Sequence, residues 1–166
     1  MRELKLLFTP IRIGKMEVKN RIVMSPMSTN LGSLQGEVTP AEIQFLTARA
    51  RGGVGLIITG DVTIDPKATY QNRSLGLYDD KFIPAWKDLT RTVQSHGAKI
   101  AAQLMHPSFN APSALSGVQP VAASPIASRR FRELPRELRA EEIEKIIERF
   151  VDAARRAQEA GCDAVQ

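Results

Sequence analysis

Three short runs carry hydrogen-bonding side chains directly after apolar stretches: Ser25-Pro26-Met27-Ser28-Thr29-Asn30, Gly60-Asp61, and Gln103-Leu104-Met105-His106-Pro107. Their chemistry is mostly uncharged. A glutamine side chain offers both a donor and an acceptor, which suits a planar ligand whose edge alternates carbonyl and N–H groups. Gly60 allows close approach of a ligand to the backbone. Pro26 fixes a turn and leaves neighbouring backbone groups free. Each residue alone has a structural reading; their shared position after apolar runs makes them a candidate site. No phosphate loop or GxGxxG stands at these turns. With only His96 and His106 in the chain, a multi-histidine metal site is not expected.

The elements that must hold these runs follow one rhythm. Helical stretches end in glycine at Gly52-Gly53, Gly97 and Gly161, and each is followed by an apolar run: Val54–Thr59, Lys99–Met105 and Asp163–Val165. Glycine suits the left-handed residue that ends a helix, and a short apolar run then reads as a strand buried on both faces. With Arg21-Ile22-Val23-Met24 as the first strand, strands alternate with helices, the signature of βαβ units and a parallel sheet. Ligands of such sheets bind at the carboxyl ends of the strands, where the three runs lie.

Thr39-Pro40-Ala41-Glu42 reads as a capping box with proline at the first helical position. The second helix starts near Asp79-Asp80 and carries Trp86, Leu89 and Val93 on one stripe. The third carries Ile143, Ile146, Ile147, Phe150, Ala154 and Ala157 on one face, and both stripes are expected to be core. Gly14-Lys15 between alternating stretches predicts an N-terminal β-hairpin that could cover one end of a barrel. The segment from Pro107 to about Arg136 reads as a long binding loop or lid. Three βα units and the opening of a fourth strand are visible, whereas a full (β/α)8 barrel needs eight units and about 250 residues. The expected fold is therefore a partial TIM barrel, with residues 1–166 as the N-terminal part of one truncated domain.

The 166 residues are 43% apolar and 25% charged, with a net charge of +5. No apolar run approaches the roughly 20 residues that span a bilayer. The stretch from Met1 to Phe8 lacks a signal-peptide pattern, so a cytoplasmic protein without membrane partners is expected. The basic excess at Arg129, Arg130, Arg132, Arg136 and Arg139 is interleaved with glutamates and has only Phe131 as an aromatic. That is a solvated loop and helix start rather than a nucleic-acid footprint. The single cysteine, Cys162, allows no intrachain disulfide and reads as a small buried residue.

Several runs resemble the old yellow enzyme family: Leu7-Phe8-Thr9-Pro10, Lys19 through Met27, Gly36-Glu37-Val38-Thr39, Gly52 through Ile57, Ala102 through His106, and Pro135-Arg136-Glu137-Leu138. The likeness runs over essentially the whole chain in fixed order. Ser28-Thr29-Asn30 is most similar to the family's long branch of 2,4-dienoyl-CoA reductases and related NADH:flavin oxidoreductases. The resemblance implies a TIM barrel with FMN at the carboxyl ends of its strands. Ser25, Pro26 and Met27 would lie beside the flavin, and Ser28 near its O4 and N5. Gly60 would contact it through the backbone, and Gln103 would bond the pyrimidine edge. NAD(P)H would reduce FMN, which would pass hydride to an activated alkene, a small-molecule substrate.

The family's catalytic His pair and proton-donating Tyr would fall beyond Gln166, so no catalytic residue is assigned within the chain. A 4Fe-4S cluster and an FAD domain, features of the long branch, would also lie there. Two departures bear on the substrate. His106 is followed by Pro107-Ser108-Phe109 where many relatives carry a Gly-Arg pair, and Asn30 stands where some carry a substrate-contacting Tyr. An incomplete, poorly active fragment is expected. The alternatives are a non-enzymatic half-barrel that forms a homo-oligomer or pairs with another chain, and a different TIM-barrel enzyme.

Overall fold

The computed structural model describes residues 4–166, so Met1, Arg2 and Glu3 of the N-terminal stretch lie outside the described residues. A hairpin comes first, β1 (Ile11–Ile13) and β2 (Met16–Val18), paired antiparallel with Ile13 opposite Met16. Gly14 makes its two-residue turn at φ 58° while Lys15 stays at negative φ, the pattern of a turn with glycine at its first central position.

Then come β3 (Val23–Met24), α1 (Pro40–Arg51), β4 (Leu56–Thr63), β5 (Leu75–Gly76), α2 (Ile83–Gln94) and β6 (Lys99–Met105). The one-turn α3 (Ser113–Ser116), β7 (Val121–Ala122), β8 (Arg136–Glu137), α4 (Ala140–Glu159) and β9 (Ala164–Val165) complete the chain. The main sheet is parallel in the order β3-β4-β6-β9, with β5 paired to the end of β4. The strand-and-helix rhythm read from the sequence is thus the observed topology. The segment 107–136 is not structureless: β7 and β8 pair parallel within it.

The helices cover one sheet face. Leu46 and Ala50 of α1, Trp86, Leu89 and Val93 of α2, and Ala153 and Ala157 of α4 pack with Ile57, Val62, Ile100 and Ala102 of the sheet. The opposite face holds Leu56 and Ala101, against which Ile58, Ala164 and the hairpin residues Ile11, Met16 and Val18 pack. The hairpin therefore closes the amino-terminal end of that inner face, as its alternation suggested. Asp163 fixes the start of β9: its carboxylate accepts from the Ile100 amide at 3.0 Å and from Lys99 Nζ at 2.8 Å. Cys162 packs against the helix-side core, and burial pushes its thiol up to about 12, so it stays a neutral thiol at ordinary pH.

Two expectations need correction. The apolar stripe of α4 is only partly core: Phe150 and Ile146 touch it and Ala157 is buried, but Ile143 is 44% and Ile147 50% exposed. The helix rests on the sheet through its small residues, so the wider stripe faces outward. The capping box of α1 is half made. Thr39 Oγ1 accepts from the Glu42 amide at 3.3 Å, but the Glu42 side chain turns inward to Thr29 instead of back to the Thr39 amide.

Among the described residues, no helix is long and apolar enough to cross a membrane.

Candidate active site

At the carboxyl end of the sheet, β4 carries a bulge. Ile58 pairs with Ala101 and Asp61 with Gln103, so Thr59 and Gly60 together face Ala102. The extra residue restores the alternation that places Asp61 beside Gln103 on the inner face, and Thr59 Oγ1 accepts from the Gln103 amide at 3.3 Å. Gln103 Nε2 in turn donates to Gln166 Oε1 at 3.1 Å. Gly60 has a reason the sequence did not reveal. A Cβ there would stand 2.5 Å from the Met27 carbonyl oxygen and 2.9 Å from Ser28 Cα. The glycine admits the chain leaving β3, and so brings Ser28 over the end of β4.

Asp61 is the centre of this corner. It is 5% exposed, yet its carboxylate is fully engaged. Ser28 Oγ donates to Oδ1, Tyr70 OH donates to Oδ1 at 3.1 Å, and Ser74 Oγ donates to Oδ2 at 2.6 Å. Ser28 Oγ and Tyr70 OH also lie 2.7 Å apart. A carboxylate only accepts, and each hydroxyl has one proton. With both protons directed at Asp61, Ser28 has none left to donate outward. Toward any ligand it offers lone pairs, so it accepts from an N–H rather than donating to a carbonyl.

Glu42 lies behind this cluster. Its carboxylate, almost fully buried, takes a hydrogen bond from Thr29 Oγ1. Burial, and then the charge of Asp61, raise its pKa above the usual carboxylate range, against the Thr29 bond that lowers it. The folded chain therefore binds a proton at Glu42 that the unfolded chain has already released. This contribution to stability is constant at low pH, falls as pH rises from the unfolded value through the folded one, and stays lower above it. Glu42→Gln is expected to be more stabilising at pH 8 than at pH 4, by about 1.4 kcal/mol for each unit of displacement. Urea midpoints of both proteins across that range measure it, and parallel curves would refute the assignment.

The expected site residues divide into groups. Ser28, Gly60 and Gln103 come together at the ends of β3, β4 and β6. Ser25, Pro26 and Met27 lie on the segment leaving β3, with Met27 54% exposed beside Ser28. Asn30, at φ 55°, accepts from the Arg73 amide at 3.1 Å and so ties this segment to the 66–74 loop. His106 belongs elsewhere: three positions after Gln103 on an extended chain, it points to the helix side. Its Nδ1 accepts from the Ser108 amide at 3.2 Å, and burial lowers its pKa. Sequence reasoning put Asp61 at the strand end without giving it a role, and missed Tyr70 and Ser74 altogether. An aspartate inside an otherwise uncharged strand was the one available signal.

The donor set at the strand ends, an amide at Gln103 and an accepting hydroxyl at Ser28, is uncharged and matches a heterocycle edge of alternating carbonyl and N–H groups. A family model described as the NADH:flavin oxidoreductase / NADH oxidase family matches residues 6–166. The NADH oxidase of Thermoanaerobacter brockii is 44% identical over 162 residues, covering 96% of this chain and 25% of that protein. The NADPH dehydrogenase of Bacillus subtilis (strain 168) is 38% identical over 161 residues, covering 96% and 47%. Among solved structures, the old yellow enzyme homologue from Zymomonas mobilis superposes with a TM-score of 0.86 at 33% identity, covering 96% and 47%. The chain thus spans between about a quarter and about half the length of these relatives.

Proposed function

This chain belongs to the NADH:flavin oxidoreductase / NADH oxidase family, and from that membership we propose that residues 1–166 supply the N-terminal part of an FMN-binding TIM-barrel domain. The observation that carries the reading is the register at the strand ends, with Gln103 beside Asp61 on the inner face and Ser28 bonded to Asp61. Bound FMN would supply the hydride chemistry, from NAD(P)H to an activated alkene such as an enoyl or dienoyl compound. This chain's residues orient and tune. The Gln103 amide, positioned by the bulge of β4, meets the heterocycle edge with a donor and an acceptor. Ser28, its proton held by Asp61, favours whichever form of the ligand presents an N–H to it. Met27 covers an apolar edge, and Ser25 and Pro26 shape the chain around it. Gly60 contributes backbone alone, and its first task is to admit Ser28. A 4Fe-4S cluster and FAD would belong to other regions of a long-branch protein.

In the full-length protein, Gln103→Ala is expected to weaken FMN binding about tenfold, the effect of one well-placed hydrogen bond. Fluorescence quenching during a flavin titration reads it directly. No FMN uptake by the unsubstituted protein, or equal affinity in the variant, would count against the reading.

A second reading, a non-enzymatic half-barrel that self-associates, is favoured by one observation. Ile147 and Val151 of α4 and Val165 of the edge strand β9 are 46–64% exposed, and uncovered apolar surface marks association sites. Light scattering after gel filtration separates the two readings: a discrete flavin-free dimer supports this one, and a flavin-loaded protein the first.

A further inference from the structure

A cavity of about 240 Å³ opens on the helix side of the sheet, away from the inner face that carries Gln103. It lies between the ends of β4 and β6, the first turns of α4 and the β7–β8 segment. Four cationic side chains line it, Lys67, Arg139, Lys145 and Arg149, against two carboxylates, Asp65 and Glu142. Both carboxylates are already committed. Asp65 accepts from the Lys67 amide at 2.9 Å and from the Arg149 guanidinium. Glu142 accepts from both guanidinium nitrogens of Arg136, at 2.8 and 2.7 Å, and from the Arg139 amide at 2.9 Å. The N-terminus of α4 is therefore occupied by its own glutamate and is not the feature of interest. Lys67 and Lys145 are: among the described residues, neither ammonium group has a hydrogen bond or ion pair. The lining carries an excess of two positive charges, and these two lysines, both exposed to solvent, hold charge that no carboxylate among the described residues pairs.

The remaining wall is mixed: Val121, Leu138 and Ile146 supply apolar surface, beside the uncharged polar side chains of Ser108, Gln119 and His106. A concave volume of mixed character, apolar with a few convergent charges, is the usual form of a small-molecule site. Bulk anions need no apolar wall, and a purely apolar ligand has no use for two lysines. We propose that this cavity binds a small organic phosphate monoester, its dianionic head held by Lys67 and Lys145 and its short apolar body seated against Val121, Leu138 and Ile146. The dianion matches the uncompensated charge, and the volume limits the body to a few carbon atoms or one small ring. The site does not depend on the flavin reading, since none of the residues Ser28, Gly60 or Gln103 lines it.

His106 lines the same cavity and provides a readout. Its charged form is disfavoured by burial and by Arg149, and favoured by Asp65. A bound dianion adds to the favouring side. Because the chain has only two histidines and His96 precedes β6 while His106 follows it, imidazole signals in an NMR titration are easily separated.

Phenyl phosphate is titrated into the flavin-free protein in physiological salt, followed by calorimetry and by the histidine resonances. Saturable binding is expected, with an upward move of the His106 titration and none at His96. Inorganic phosphate and benzoate, lacking the apolar body and the second charge respectively, are expected to bind at least tenfold more weakly. The double variant Lys67→Gln/Lys145→Gln, which removes no internal bond, is expected to keep its thermal midpoint and lose phenyl phosphate at least tenfold. Absence of saturable binding, unchanged affinity in the double variant, or equal affinity for inorganic phosphate would each overturn the proposal. Loss of FMN binding elsewhere in the protein would not bear on it.

Discussion

Replacing Trp86 by alanine is expected to remove about 3–5 kcal/mol of folding free energy, the range for truncating a fully buried aromatic. Trp86 is 0% exposed and stands where α2 meets the helix face of the sheet, among the side chains that join all three long helices. Its ring does two things at once. It fills the centre of the core, and its Nε1–H donates to the Gly76 carbonyl at 3.1 Å. That carbonyl belongs to β5, which pairs with the far end of β4, so the indole links α2 to the strand end that carries Asp61. Alanine leaves both a cavity and an orphaned carbonyl. Trp86→Phe fills much of the volume but still orphans the carbonyl, and is expected to cost about 1–2 kcal/mol. Far-ultraviolet circular dichroism against urea measures both, since the only tryptophan of the chain is lost with the substitution. A midpoint within 1 kcal/mol of the parent for the alanine variant would mean that the surrounding core collapses onto the site.

The same core explains what could be read from the sequence. Buried strands of a parallel sheet are short apolar runs, and the turn before each needs a left-handed residue; Gly53, Gly97 and Gly161 take positive φ where the pattern put them. These are local rules, visible in one stretch of chain. What stayed hidden depends on contacts between distant stretches. The stripe of α4 looked like core because periodicity shows that a face is apolar without showing how much of it is covered. Asp61 was placed at a strand end but given no role, because its partners Ser28, Tyr70 and Ser74 lie 33, 9 and 13 positions away. Gly60 was read only as allowing close approach of a ligand to the backbone; that the space above its Cα holds the chain at Met27 and Ser28 was not visible. The opposite orientation of His106 and Gln103, by contrast, follows from strand alternation once the strand is extended to its end.

Asp61→Ala is expected to lower stability by about 2–4 kcal/mol, because a hydrogen bond to a charged group is worth roughly 1.5–3 kcal/mol and three hydroxyls converge here. The loss stays below a simple sum, since Tyr70 and Ser74 are half-buried and recover water partners. Tyr70 and Ser74 both belong to the 66–74 loop, so the carboxylate tethers that loop to the strand end. Hydrogen exchange should therefore show amides of residues 66–74 losing protection while those of β6 keep it. If Asp61→Ala keeps both its urea midpoint and the loop's protection, the carboxylate is not the tether. Ser28→Ala separates the structural role from the functional one. It removes one of the three donors and leaves the loop's two, so stability should change by only about 1 kcal/mol. The proposed outward-facing lone pairs vanish with the hydroxyl, so a flavin held there should become harder to reduce in that variant. Asp61→Asn offers the complementary case. Its amide can donate to Ser28, which frees the Ser28 proton to point outward and turns an acceptor toward the ligand into a donor. The reduction potentials of the two variants, compared in the flavin-loaded full-length protein, test whether Asp61 governs what Ser28 presents. Identical potentials in the parent, Ser28→Ala and Asp61→Asn proteins would leave Asp61 a loop anchor and nothing more.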